Sequence, residues 1–162
     1  MAHKQALSLS PQTLRSFPFV ELRQSLPSET ALISPFVDQL MRLMAKCRNL
    51  EDSGLAIEMA LREALANAMV HGNQVDLHKL VHVACRCTTD GEVSITVQDE
   101  GQGFDGNEVP DPTTPENLLA KRGRGIYLMK TLMDEVRFDQ GGALVYMRKK
   151  PNGRSAAERK AG

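Results

Sequence analysis

Two alternating runs joined by Asp90-Gly91 constrain this chain more than any other feature. Val81, Val83, Cys85 and Cys87 share one face of the run Leu80 to Thr88. Val93, Ile95 and Val97 share one face of the run Glu92 to Gln98. Successive strand side chains point to opposite sides, so a period of two gathers these residues on a single apolar face. The opposite face carries His82, Arg86, Thr88, Ser94, Thr96 and Gln98. Asp-Gly between two such runs is a hairpin turn. A sheet with one apolar and one wet face is antiparallel or mixed, and helices must cover the apolar side.

Two stretches supply the helical period for that cover. Phe36, Val37, Leu40, Met41, Leu43 and Met44 recur at helical spacing, in a helix that starts at Ser28 or Ser34 and runs to Arg48. Ser34 before Pro35 reads as an N-cap followed by the first helical position. Met41 and Met44 read as core residues. Ser53 to about Asn73 forms a second helix, with Ile57, Leu61, Ala64, Leu65 and Ala68 as its apolar stripe. Phe17 to Leu26 suits an edge strand, and helical spacing returns at Gly125 to Met133. Glu135 to Phe138 and Ala143 to Arg148 close a hairpin around Gly141-Gly142. Residues 100 to 123, punctuated by Pro110, Pro112 and Pro115, make a connection long enough to be functional.

Length and charge narrow the class further. A chain of 162 residues is room for one domain. It reads as a flexible segment at 1–16, a folded domain at 17–150 and a flexible tail at 151–162. Lys plus Arg and Asp plus Glu are both 20, so the formal net charge is zero. A global grip on nucleic acid or an anionic membrane needs a basic excess, and neither partner is expected. No apolar run approaches the roughly 20 residues that span a bilayer. Cys47, Cys85 and Cys87, without a secretory signal, read as reduced thiols in a cytoplasm. Cys85 and Cys87 fall on the apolar strand face, where a free thiol packs as a small hydrophobe.

Three constellations carry candidate chemistry. Glu63, Asn67 and His71 lie at i, i+4 and i+8, a polar line beside the apolar stripe. Such a line could present a base and a metal ligand to one pocket, or be an exposed polar helix face. Asp99-Glu100-Gly101-Gln102-Gly103 follows a strand. An ionised Asp there could accept from the amino group of an adenine edge, and the glycines would allow close approach; a plain strand-to-loop turn is the alternative. Gly123-Arg124-Gly125 opens a helix, where free N–H groups suit phosphate and Lys121, Arg122 and Arg124 add charge. Its alternative is a hinge before a core helix. Gly101 to Gly106 matches G-x-G-x-x-G, but Pro110 and Pro112 follow where a dinucleotide site needs a helix.

Taken in order, EALANAMVHGN, VQDEGQGF and GRGIYLMKTLMDEV resemble the N-box and the two glycine boxes of the GHKL superfamily of ATP-binding domains. The compact form, with the run GRGIYLMKTLMDEVRF, is similar to the bacterial anti-sigma-factor serine kinases. The resemblance covers about residues 17 to 150. It implies an α/β (α+β) two-layer sandwich, with a mixed, largely antiparallel sheet under helices on one face. It also implies ATP and Mg²⁺ as cofactors. Asn67 matches the family's metal ligand and Glu63 its general base. Asp99 matches the adenine-binding aspartate, with Gly101 and Gly103 beside the base. Gly123, Arg124 and Gly125 match the second glycine box near the phosphates, with Lys121 just before them. His71 and Asn73, at the end of the N-box, take a supporting role on the phosphate side. Residues 104 to 122 match the ATP lid. One departure stands out: many relatives carry Thr after the late Gly-Gly, and here Ala143 follows.

The resemblance implies a serine/threonine protein kinase that is also an anti-sigma factor. Its implied partners are a sigma factor and a STAS-type anti-sigma-factor antagonist phosphorylated on serine, with a homodimer as a family-level expectation. An ATP-binding regulatory module without phosphoryl transfer is the alternative.

Overall fold

The computed structural model describes residues 19–45, 53–103 and 121–151. The ends expected to be flexible, Cys47 and residues 104–120 of the expected lid lie outside the described residues.

Five strands form one sheet in the order β1-β2-β3-β5-β4. They are β1 Phe19–Pro27, β2 Leu80–Thr88, β3 Val93–Asp99, β4 Glu135–Asp139 and β5 Leu144–Lys149. All four pairings are antiparallel, the largely antiparallel arrangement expected, and no parallel pair occurs among the described strands. That rules out the parallel βαβ frame of a dinucleotide fold. The β2–β3 register sets Val83 opposite Val97 and Cys85 opposite Ile95. The apolar face predicted from alternation is therefore continuous across the hairpin. Val81, Val83, Cys85, Cys87, Val93, Ile95 and Val97 are all buried.

Three helices cover that face: α1 Ile33–Met44, α2 Gly54–Ala66 and α3 Lys121–Leu132. Leu40, Ile57, Leu61, Leu65, Met129 and Met147 are among the largest fully buried side chains. Each such residue contributes about 1.5–3 kcal/mol by leaving water. Met44 is buried and Met41 packs against the core, as the helical period predicts. No described helix is long and apolar enough to cross a membrane.

Local structure departs from expectation at two helix ends. Ser34 is not the N-cap of α1. A short 3₁₀ turn, Thr30–Leu32, leads directly into Ile33, so Ser34 and Pro35 lie within the first helical turn. Pro35 costs no hydrogen bond there, because the first N–H groups of a helix have no partner inside it. Arg62 of α2 instead draws on Ser34: its Nη1 donates to Ser34 Oγ at 3.0 Å and its Nη2 to Asp38 at 2.9 Å, tying α2 to α1.

The second departure shapes the site. The α-helical pattern of α2 stops at Ala66 and widens into a π-helical turn, Asn67–Gly72. The Asn73 N–H reaches back five residues to the Ala68 carbonyl at 2.8 Å. Gln74 and Val75 then take φ of 55° and 57°. A branched side chain is strained in that left-handed region, by on the order of 1–3 kcal/mol, and persists only where its surroundings over-determine it.

Candidate functional site

Glu63 and Asn67 lie one turn apart at the end of α2, and α3 packs alongside through Gly125. A Cβ at Gly125 would stand 2.6 Å from Glu63 Oε2 and 3.3 Å from Asn67 Nδ2. The carboxylate and the amide therefore sit side by side over bare backbone. Only glycine leaves that gap. Gly123 and Gly125 are buried, while Arg124 between them is exposed. Lys121 opens α3, and its side chain lies outside the described residues.

Asp99 ends β3 at the other side of the same cleft. Its N–H donates to the Ala143 carbonyl at 2.9 Å, and its Oδ1 accepts the Gly101 N–H at 2.8 Å. The glycines around it are there for lack of room. A Cβ on Gly72 would fall on the Asp99 carboxylate, and one on Gly101 would run into the Gly72 carbonyl. Gly103, at φ 76°, backs onto the Gly141 carbonyl. The π-helical turn is thus interlocked with the first glycine box.

Between these groups lies a narrow cleft. Val97, Met129, Phe138 and Val145 give it apolar walls, Asp99 lies at one side, and Asn67 reaches its mouth. Apolar walls with one carboxylate acceptor have the chemistry to take a base edge bearing an amino group. Ala143 lines the slot as well. Asn67, Asp99 and Gly103 line this cleft, Glu63 and Gly125 stand beside Asn67, and Gly101 stands beside Asp99; Gly123 is buried and is not among the lining residues. His71 is exposed on the π-helical turn and does not line it.

Asn73 corrects its sequence expectation. It is fully buried and does not line the cleft. Its Nδ2 donates to Ser28 Oγ at 2.7 Å and to the Leu80 carbonyl at 2.8 Å, while its Oδ1 accepts the Glu100 N–H at 2.8 Å. Those three bonds occupy both donors and one acceptor site, so the side chain belongs to the scaffold and not to the phosphate side. Sequence reasoning also missed Gly72, whose signal was a glycine breaking the helical stripe, and the wall residues Met129 and Phe138, which lie within the run GRGIYLMKTLMDEVRF but were given no site role.

Glu100, next to Asp99, points outward. Its carboxylate accepts the Leu80 N–H at 2.8 Å and faces His82 Nε2 at 3.3 Å. The Leu80 N–H first, and then His82, hold its pKa below the ordinary carboxylate value.

A family model described as the histidine kinase-like ATPase domain matches residues 26–149. The chain belongs to that family. Within this ATPase family, its relatives are of the anti-sigma-factor kinase type. The anti-sigma F factor of Priestia megaterium is 28% identical over 81% of this chain and 88% of that protein. The anti-sigma F factor of Geobacillus kaustophilus is 34% identical over 72% of this chain and 78% of that one. The serine-protein kinase RsbW of Bacillus subtilis is 36% identical over 60% of this chain and 64% of that kinase. The crystal structure of the RsbU and RsbW domains of a Mycobacterium tuberculosis protein shares the fold, with a TM-score of 0.55 and 20% identity. It covers 80% of this chain and 31% of that longer one.

Proposed function

We propose that this histidine kinase-like domain is an Mg²⁺-dependent protein-serine kinase and anti-sigma factor. Its protein substrate in this reading is a STAS-type antagonist, and its second partner is a sigma factor. The observation that carries it is that Glu63 Oε2 and the Asn67 amide both stand against the bare backbone of Gly125. Pure nucleotide binding needs the amide and has no use for the carboxylate. The names of the relatives, anti-sigma F factor and serine-protein kinase, support the partner classes.

The residues fit Mg²⁺-ATP by their chemistry. Asn67 offers a neutral amide oxygen, a hard ligand of the kind Mg²⁺ takes beside its waters. The Mg²⁺ bound with ATP supplies charge neutralisation on the phosphates. Asp99 and the apolar slot hold the base, and the Gly123-Arg124-Gly125 segment lies on the phosphate side. Glu63 accepts the proton of the serine hydroxyl as its oxygen bonds to the γ-phosphorus and the bond to the ADP oxygen breaks. General-base help of this kind contributes about 10²–10⁴-fold in rate.

Two substitutions probe the geometry. Gly125→Ala is expected to raise the melting temperature or leave it unchanged, since alanine is favoured over glycine inside a helix by about 0.5–1 kcal/mol. The same Cβ must push the Glu63 carboxylate aside, so phosphoryl transfer falls at least tenfold; thermal melts and a transfer assay together read this split. Ala143→Thr adds a hydroxyl to the slot wall. It is expected to tighten ATP binding by up to about tenfold, the worth of one hydrogen bond, measured by isothermal titration.

The test is capture of partners from a lysate of the source bacterium by the tagged chain, with and without Mg²⁺-ATP. A STAS-type protein phosphorylated on serine by the wild-type chain, and not by Glu63→Ala, is the expected result. Nucleotide-dependent capture with no phosphorylation would overturn the kinase reading and leave a nucleotide-controlled binding module.

A further inference from the structure

We propose that Asn73 is a positioning residue that fixes Asp99 and thereby sets the preference of the site for adenine nucleotides. The inference rests on the reading of Asp99 as the base anchor. It deepens that reading by assigning selectivity to a side chain that never touches the ligand.

Two features beside the Asp99 carboxylate bear on where it stands, together with the Gly101 N–H that Oδ1 accepts. One is its own peptide link to Glu100, and the other is the bare backbone of Gly72. Asn73 controls both. Its Oδ1 takes the Glu100 N–H, which pins the peptide immediately after Asp99. Its own N–H closes the π-helical turn on Ala68, which presses Gly72 against the carboxylate. Gly101, whose N–H is given to Asp99 Oδ1, is caged by the same Gly72 carbonyl.

The other end of the amide anchors this arrangement to rigid parts. Nδ2 donates to Ser28, just after β1, and to Leu80, the first residue of β2. Ser28 is itself fully buried, and its Oγ donates to the Lys79 carbonyl at 3.0 Å. A buried amide with its bonds satisfied is stiff, because every alternative pose leaves a desolvated polar group unpaired. It also bears on the strained pair Gln74 and Val75, which follow it directly. The two ends of one side chain thus do separable work. The nitrogen holds the scaffold, and the oxygen holds the glycine box.

Selectivity is sensitive to such placement. An aspartate accepts from the adenine amino group, whereas guanine presents a carbonyl oxygen at the equivalent edge. A carboxylate held in one place accepts the first and repels the second; one that wanders does neither well.

Isothermal titration of Mg²⁺-ATP and Mg²⁺-GTP, with thermal melts, tests the proposal on the full chain and four variants. Asp99→Asn is expected to lose most of its ATP affinity and its preference for ATP. Asn73→Ala and the milder Asn73→Ser are expected to lose about tenfold in that preference through weaker ATP binding. Ser28→Ala breaks only the nitrogen end, so it should melt earlier yet keep the wild-type preference. Asn73 variants that melt earlier but discriminate as the wild type does would overturn the proposal. So would a Ser28→Ala variant that loses as much preference as they do. If Asp99→Asn binds ATP as before, the base-anchor reading itself fails and the Asn73 proposal with it. If Asp99→Asn loses ATP and the Asn73 variants do not, only the Asn73 proposal fails.

Discussion

Glu63→Gln should bind Mg²⁺-ATP with wild-type affinity and transfer phosphate about 10²–10⁴-fold more slowly. The amide keeps the length and shape of the carboxylate, so the packing of α2 against Gly125 survives. What it lacks is basicity. The serine proton then has no acceptor at the point of attack, and the rate falls in kcat while KM for ATP holds. Phosphorylation of the captured antagonist under single-turnover conditions, beside titration of nucleotide binding, separates the two quantities. Equal rates for Glu63→Gln and wild type would remove Glu63 from the chemistry. A parallel loss of ATP affinity would make it a binding group instead.

Gly72→Ala should cost the site its nucleotide by displacing Asp99. The new methyl group would occupy the space of the Asp99 carboxylate. Asp99 is too short to bend away while its N–H stays bonded to Ala143, so either the aspartate leaves the cleft or the π-helical turn lifts off β3. Overpacking of this kind costs about 1–3 kcal/mol in stability. ATP affinity falls by at least tenfold, because the carboxylate no longer stands where the base edge would meet it. Melting curves and ATP titration check the pair of effects. Wild-type ATP affinity in Gly72→Ala would mean that Asp99 is not positioned through this contact. Gly101→Ala meets backbone on the other side of the same interlock, at the Gly72 carbonyl, so it has even less room to relax.

Both predictions involve contacts across the fold; Glu63 and Gly125 were both visible in the sequence, whereas of Gly72 and Asp99 only Asp99 was. The Asp90-Gly91 hairpin and its alternation named the buried face of β2 and β3 residue by residue. The helical period named Ile57, Leu61, Ala64 and Leu65, and all are buried. Such signals are legible because strand and helix periods are local, and burial of one face follows from them directly. The motif order proposed Glu63, Asn67, Asp99 and the glycines for one site, and of these Asn67, Asp99 and Gly103 line the cleft.

Asn73 shows where local reasoning stops. In the sequence it stands two residues past a polar stripe spaced for an α-helix, at the end of the N-box that holds Asn67 and His71. In the fold the stripe is broken by a π-helical turn, so the residue rotates inward and spends its amide on Ser28, Leu80 and Glu100. Partners from three separate segments cannot be read from spacing along one. Ser34 is the same case on a smaller scale, since a 3₁₀ turn ahead of α1 takes over its capping place.

The sequence by itself determined the two-layer plan and the buried face of the hairpin, because periodicity and turn chemistry act over a few residues, and its resemblance to a family named the boxes. Tertiary structure decided the order β1-β2-β3-β5-β4, the close approach of Gly125 to Glu63 and Asn67, and the interlock of Gly72 with Asp99. Those features come from packing between segments far apart in the chain, where the room for a single Cβ settles which residue can stand.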